Sequence, residues 1–197
     1  SFQKKIAGML SGKGFSEIVN NSISQSAYYG KLQSHEKDQL VHLLKSSNSE
    51  LDTMRSNMLF PVLERVAFNL NRNNKRLKFF EFGTTYSQDE KLTFREEEHL
   101  ILAITGELND ETWLQKSISS DIFFLKPIVE YIFGHLSKSF EVSTCDKVAY
   151  HSYGLDYSIN NQLIARLGSI DEETLETFEI DDQQVFVADI NWSKLLE

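Results

Sequence analysis

Cysteine is almost missing from this chain. Cys145 stands alone among 197 residues, so no internal disulfide can form, and that usage fits a reducing compartment such as the cytoplasm. Proline occurs only twice, at Pro61 and Pro127, and glycine nine times, against fourteen Phe. Such a composition excludes a disordered or low-complexity segment and favours regular, packed structure. No apolar run approaches the roughly 20 residues that a membrane-spanning helix needs, and no secretory pattern opens the chain. A glycine-rich phosphate loop is absent too: Gly12-Lys13-Gly14 lacks the preceding strand and the spacing of nucleotide motifs, and reads as a helix stop. Basic residues run short in the second half. Residues 1–100 carry 14 Lys and Arg against 12 Asp and Glu, a balance of +2, whereas residues 101–197 carry 6 against 17, a balance of −11. Nucleic-acid affinity comes largely from cations that neutralise phosphates, so the acidic half argues against a main nucleic-acid-gripping surface.

What is present is apolar material in periodic patterns, 41% of the chain, enough to bury a sizeable single core. Phe2, Ile6, Met9 and Leu10 fall at helical spacing. Phe15 to Ile23 reads as a strand, while the polar, Ser-rich stretch 31–53 gives no assignment. Leu59, Leu63, Val66, Ala67 and Leu70 mark one face of a second helix, with Pro61 tolerable in its first turn. Leu77 to Tyr86 and Leu100 to Thr105 read as central strands of a sheet covered on both faces. Phe124, Ile128, Ile132 and Leu136 mark a third helix with Asp121 near its start, and Pro127 predicts a later start or a kink. Asn160-Asn161 between Ile159 and Gln162 predicts a two-residue hairpin turn, because Asn tolerates positive φ. Asp171-Glu172-Glu173-Thr174 reads as an acid-rich helix start, Val185 to Ile190 as a last strand, and Trp192 as the opening of a further element. Helices interrupting a largely antiparallel set of strands predict an α+β fold.

No catalytic constellation assembles from these residues. His35, His42, His99, His135 and His151 make no pair at metal-ligand spacing with one another or with Cys145. Glu96-Glu97-Glu98 before His99 reads as a solvated loop preceding a strand. Cys145 lacks a neighbouring His and reads as a small buried strand residue. Glu172, Glu173, Glu176 and Glu179 share the solvated face of a short helix. Arg72, Lys75, Arg76 and Lys78 form the one basic cluster; it reads as a solvated turn, with phosphate or RNA contact as the alternative.

The run Ser49 to Glu64, which contains Met54-Arg55 and Leu59-Phe60-Pro61-Val62-Leu63, then Asn69-Leu70-Asn71-Arg72 and Phe80-Glu81-Phe82-Gly83, resembles the beta subunit of bacterial phenylalanyl-tRNA synthetase. Gly14 to Ile18 upstream, and Asp121 to Lys126, Gly168 and Val185 to Ile190 downstream, extend the resemblance over nearly the whole chain. It implies a class II synthetase fold, an antiparallel sheet flanked by helices, in a pseudo-catalytic copy. It also implies an alpha-subunit partner that holds the active site in an α2β2 heterotetramer, tRNA reached through the full complex, and ATP and magnesium used by that complex. No cofactor is implied for this domain. Class II catalysis uses an arginine on the α-phosphate and another on the γ-phosphate. In this sequence Ser87 and the Ser193-Lys194 pair stand at those places, and Lys does not reproduce the guanidinium fork.

The resulting expectation is one synthetase-like domain, residues 1–197, which opens on Ser1 without Met and stops within Leu195-Leu196-Glu197 as a piece of a longer multidomain chain would. It is a non-catalytic assembly domain; the alternative is a free-standing synthetase-like regulatory or ligand-binding protein. Phe2, Ile6, Met9, Arg55, Arg72 and Glu81 are the family-motif and interface candidates. Arg55 and Glu81 are expected to tie a loop to a strand. At least one of Phe2, Ile6 and Met9 is expected to be substantially exposed without a partner chain.

Overall fold

The structure, a computed structural model, describes residues 2–45, 49–109 and 116–197. Helix α1 spans Phe2–Gly12. It ends where Gly14 adopts φ +84° and the Phe15 N–H turns back to the Leu10 carbonyl at 3.1 Å, a stop that glycine makes without steric cost. The strand expected over Phe15–Ile23 is a correction: only Ser16–Glu17 (β1) and Ile23–Ser24 (β2) are extended pairs. Between them Asn20 leaves the sheet, and its backbone N–H and side-chain amide donate to the Glu81 carboxylate at 3.2 and 2.7 Å. A buried carboxylate demands donors, and that demand overrides local strand propensity. Helix α2 (Ser26–Lys31) leads into the unassigned stretch, which holds a 3-10 turn at Lys37–Gln39 and, after residues 46–48, ends at β3 (Thr53–Met54), which pairs with β2.

Helix α3 covers Leu59–Leu70, with Pro61 in its first turn. Strands β4 (Leu77–Gln88) and β5 (Phe94–Thr105) form a long antiparallel hairpin. The Glu96–Glu98 run is therefore strand rather than loop. It is tolerated because that end of β5 reaches past the packed layers, and Glu96 and Glu98 are exposed. Helix α4 spans Ile122–His135, and the Asp121 carboxylate caps it by accepting from the Phe124 N–H at 3.0 Å. Pro127 does not delay this start. Both Pro127 and Phe123, whose carbonyl the proline cannot bond, lie on the exposed face, where water takes the missing donor's place.

Strands β6 (Glu141–Val148), β7 (His151–Ile159) and β8 (Gln162–Ile170) then form a meander. The hairpin turn falls on Asn160 and Asn161, at φ +51° and +64°, with Ile159 opposite Gln162. A bulge beside Ser158 places two successive residues, Ile164 and Ala165, in the core. Asp171 caps α5 (Glu172–Thr177), accepting from the Thr174 N–H at 2.7 Å. Strand β9 (Val185–Asn191) leads directly into α6 (Trp192–Leu196).

The seven-stranded sheet runs β1-β4-β5-β9-β8-β7-β6, antiparallel throughout except for the β1–β4 pair. This is the expected α+β architecture. Leu100, Leu102 and Ile104 of β5 face the core beneath α1, α4 and α6, whereas Ile101 and Ala103 face the core beneath α3. Burial on both faces explains why this stretch of sequence is continuously apolar.

The exposure expected at the opening helix is a further correction. Ile6 is fully buried, and Phe2 and Met9 are half-buried against the same core. Phe2 stacks on Trp192 at 5.3 Å and on His135 at 5.8 Å. The chain's last helix thus covers its first, a contact between distant segments that periodicity does not reveal. Large exposed apolar side chains lie elsewhere, among them Leu92, Phe94 and Phe123.

Candidate functional site

The face of the sheet that carries α3 is only partly covered. Beyond α3, polar side chains at alternate positions of β5, β9, β8 and β7 floor a cleft of about 340 Å³. Antiparallel register places Asp156 opposite Arg166, Arg166 opposite Asp189, and His99 opposite Asn191. The Arg166 guanidinium grips Asp156 through two bonds, 2.6 and 2.7 Å. Burial pushes the Asp156 carboxyl up, but the guanidinium outweighs it and holds the group below the ordinary carboxylate range. His99 Nδ1 lies 2.7 Å from Asp189, Asn191 donates to Glu97 at 3.1 Å, and Lys194 pairs with Glu97 at 3.2 Å. The Asn191 side chain also caps α6, accepting from the Lys194 N–H. The floor carries two groups of paired charges, Asp156 with Arg166 on β7 and β8, and His99 with Asp189 and Glu97 with Lys194 across β5, β9 and α6.

Two histidines on this floor are shifted in opposite directions. Burial alone would lower His99; Asp189 more than offsets it, and the imidazole ends above the ordinary value. His151 is pushed down, chiefly by burial, and stays neutral. Its Nδ1 donates to the Ala149 carbonyl at 2.8 Å, and its Nε2 is sealed without a partner among the described residues. The His99–Asp189 contribution is fully present below the ordinary histidine value of 6.5 and fades as pH rises through the higher folded value. His99→Gln is therefore expected to cost more stability near about pH 5 than near about pH 9, read from urea unfolding at both. An equal loss at both pH values would contradict the pairing.

One wall of the cleft comes from the loop after α2. A single Glu36 oxygen accepts from the Ser56 hydroxyl at 2.9 Å, the Asn57 amide at 2.7 Å and the Tyr150 hydroxyl at 3.3 Å. Burial, followed by the Glu36 charge, pushes the Tyr150 phenol well above its usual range, so it remains a donor. Ser87 also lines the cleft and brings no charge.

The six family-motif and interface candidates do not converge on this cleft. Arg55 and Glu81 meet beside it as a buried pair at 2.9 Å, 3% and 2% exposed. Arg55 Nε donates to the Thr84 carbonyl at 2.8 Å, and the Arg55 carbonyl accepts from the Tyr86 N–H. A side chain at Gly83 would stand 2.3 Å from the Arg55 guanidinium, so glycine there lets the loop seat on β4. Arg72 is exposed at the end of α3, 3.4 Å from the Phe68 ring centroid. Phe2, Ile6 and Met9 belong to the core on the opposite face of the sheet. Sequence reasoning missed Asp156, Arg166, Asp189 and Glu36. The available signal was a polar residue at every second position of otherwise apolar strands, as in Asp189 and Asn191 of β9. Among the described residues no group of three or more His, Cys, Asp or Glu is placed to hold a metal ion.

A family model described as "Phenylalanyl tRNA synthetase beta chain CLM domain" matches residues 1–192. The chain belongs to this family. Phenylalanine--tRNA ligase beta subunits of Bacteroides fragilis and Bacteroides thetaiotaomicron are each 34% identical over 99% of the chain, and that of Porphyromonas gingivalis is 29% identical over the same share. The chain spans about a quarter of the length of these relatives. Among solved structures, a Desulfitobacterium hafniense pyrrolysyl tRNA synthetase superposes with a TM-score of 0.74 at 21% identity, covering 99% of this chain and 66% of that one. That likeness establishes the class II synthetase fold and nothing further.

Proposed function

We propose that this chain is a non-catalytic structural and subunit-assembly domain of a phenylalanine–tRNA ligase. In this reading it is one domain of a longer beta chain that joins an alpha subunit in a cytoplasmic α2β2 complex, and that complex attaches phenylalanine to tRNA with ATP and magnesium. The observation that carries the non-catalytic reading is the pairing of the cleft's cations: Arg166 is bound through Nε and Nη2 by Asp156, and Lys194 is bound by Glu97. A triphosphate would have to displace carboxylates held at 2.6–3.2 Å, against their negative charge. The residues present therefore do not fit ATP, and no step of the reaction is assigned to them.

What remains is a role through surfaces. The buried Arg55–Glu81 strut and the interlocked α1 and α6 hold the layers rigidly, as a scaffold for a partner requires. Co-purification tests this directly: the full-length polypeptide is expected to bring down an alpha subunit in stoichiometric amounts, and recovery without one contradicts the assembly role. Within such a complex, Arg166→Gln is expected to leave the aminoacylation rate unchanged. At a working site, losing a charge-stabilising donor costs about 100-fold or more, and a loss of that size would place catalysis here.

A further inference from the structure

The end of α3 and its turn into β4 carry the one basic cluster of an acidic chain. There, Asn69, Asn74, Lys75, Arg76 and Lys78 line a groove of about 590 Å³, with Glu107 on its far side. Lys78 is the unusual member. It is half-buried, its ammonium donates to the Leu108 carbonyl at 3.1 Å and sits 4.8 Å from the Phe124 ring centroid, and no carboxylate among the described residues pairs with it. Burial pushes this amine down, with no neighbouring charge to restore it. A desolvated cation in that state gains from an anion brought against it.

The groove is also preformed. Gly106 adopts φ +78°, and a side chain there would stand 2.0 Å from the Lys75 carbonyl, so the loop is locked onto β5. The Asn69 amide is fixed by its bond to the Arg65 carbonyl at 2.9 Å. The basic surface continues along α3, where Phe68 is exposed and has Arg72 over its ring at 3.4 Å and Arg65 at 5.5 Å. An extended track of cations beside an aromatic suits a polymer of phosphates better than a single small anion. Beyond Lys75, Glu179, Asp181 and Asp182 border a neighbouring hollow and confine such a strand to one side.

We propose that this groove binds a phosphate of an RNA backbone, with Lys78 and Lys75 as the charge contacts and Arg72 extending the track. The phosphate chemistry stands on the groove alone, and the choice of RNA rests on the ligase reading. The test is fluorescence anisotropy of a labelled tRNA-length RNA with the full-length polypeptide and its co-purified partner, titrated with salt. Lys78→Gln and Lys75→Gln are each expected to weaken binding and to reduce the salt slope by about 1, the signature of one lost phosphate contact. Glu107→Gln is expected to tighten binding, and Lys4→Gln, an exposed change elsewhere, to do nothing. Lys75 is exposed, so its substitution does not threaten the fold, and melting curves control for Lys78→Gln. Slopes and affinities of both lysine variants that coincide with the unsubstituted protein overturn the proposal. So does a Lys78→Gln variant that loses inorganic phosphate but keeps its RNA slope. Neither result bears on co-purification with an alpha subunit, so this proposal fails separately from the ligase reading.

Discussion

Arg55→Ala is expected to destabilise the chain by about 3–5 kcal/mol, because it strands the Glu81 carboxylate in a dry site. Arg55 and Glu81 are almost wholly buried, and the other donors to Glu81 come from Asn20, a loop residue. Removing the guanidinium also orphans the Thr84 carbonyl. Arg55→Lys is not expected to rescue it, since an ammonium cannot reach Glu81 and Thr84 with the planar fork. Urea unfolding checks both variants, and a loss for Arg55→Ala below about 1 kcal/mol, the scale of an exposed pair, would remove the strut from the account.

The second large effect is expected at Trp192, a fully buried indole that opens α6. It stacks on Phe2 at 5.3 Å and meets Phe82 edge-on at 5.0 Å. Trp192→Ala leaves a cavity where three segments join, with an expected cost of about 3–5 kcal/mol. The damage should centre on α1, whose contact with the rest of the chain runs partly through Phe2. Hydrogen exchange is expected to accelerate in Phe2–Gly12 before it does in β4 or β5. Uniform acceleration across all elements would show that α1 and α6 do not form a separate contact unit.

Legibility in the sequence followed the range of the interaction. Asn160-Asn161 makes its turn from its own φ preference, and Asp121 and Asp171 cap helices three residues on, so each could be read locally. Leu100 to Thr105 announced a doubly covered strand because both faces are apolar. What failed was set by distant partners. Asn20 leaves the strand path to serve Glu81, 61 positions away. Phe2 is covered by Trp192, at the other end of the chain. Glu96 to Glu98 read as loop because a strand's open end tolerates charge, and only the pairing with β9 shows that Glu97 meets Asn191 and His99 meets Asp189. The motif residues Arg55 and Glu81 were legible as a pair. The cleft floor beside them was not, because it is assembled from single polar residues on four strands.

The claim that this fold has kept the shape of a synthetase site without its chemistry meets its most direct test in phenylalanine-dependent ATP–pyrophosphate exchange by the 197-residue chain. With Arg166 tied to Asp156, Lys194 tied to Glu97 and an uncharged Ser87 in the cleft, exchange is expected to stay at background across a full range of phenylalanine and ATP. Exchange above background that persists after contaminating synthetase is removed, and that falls with Arg166→Gln, would contradict it.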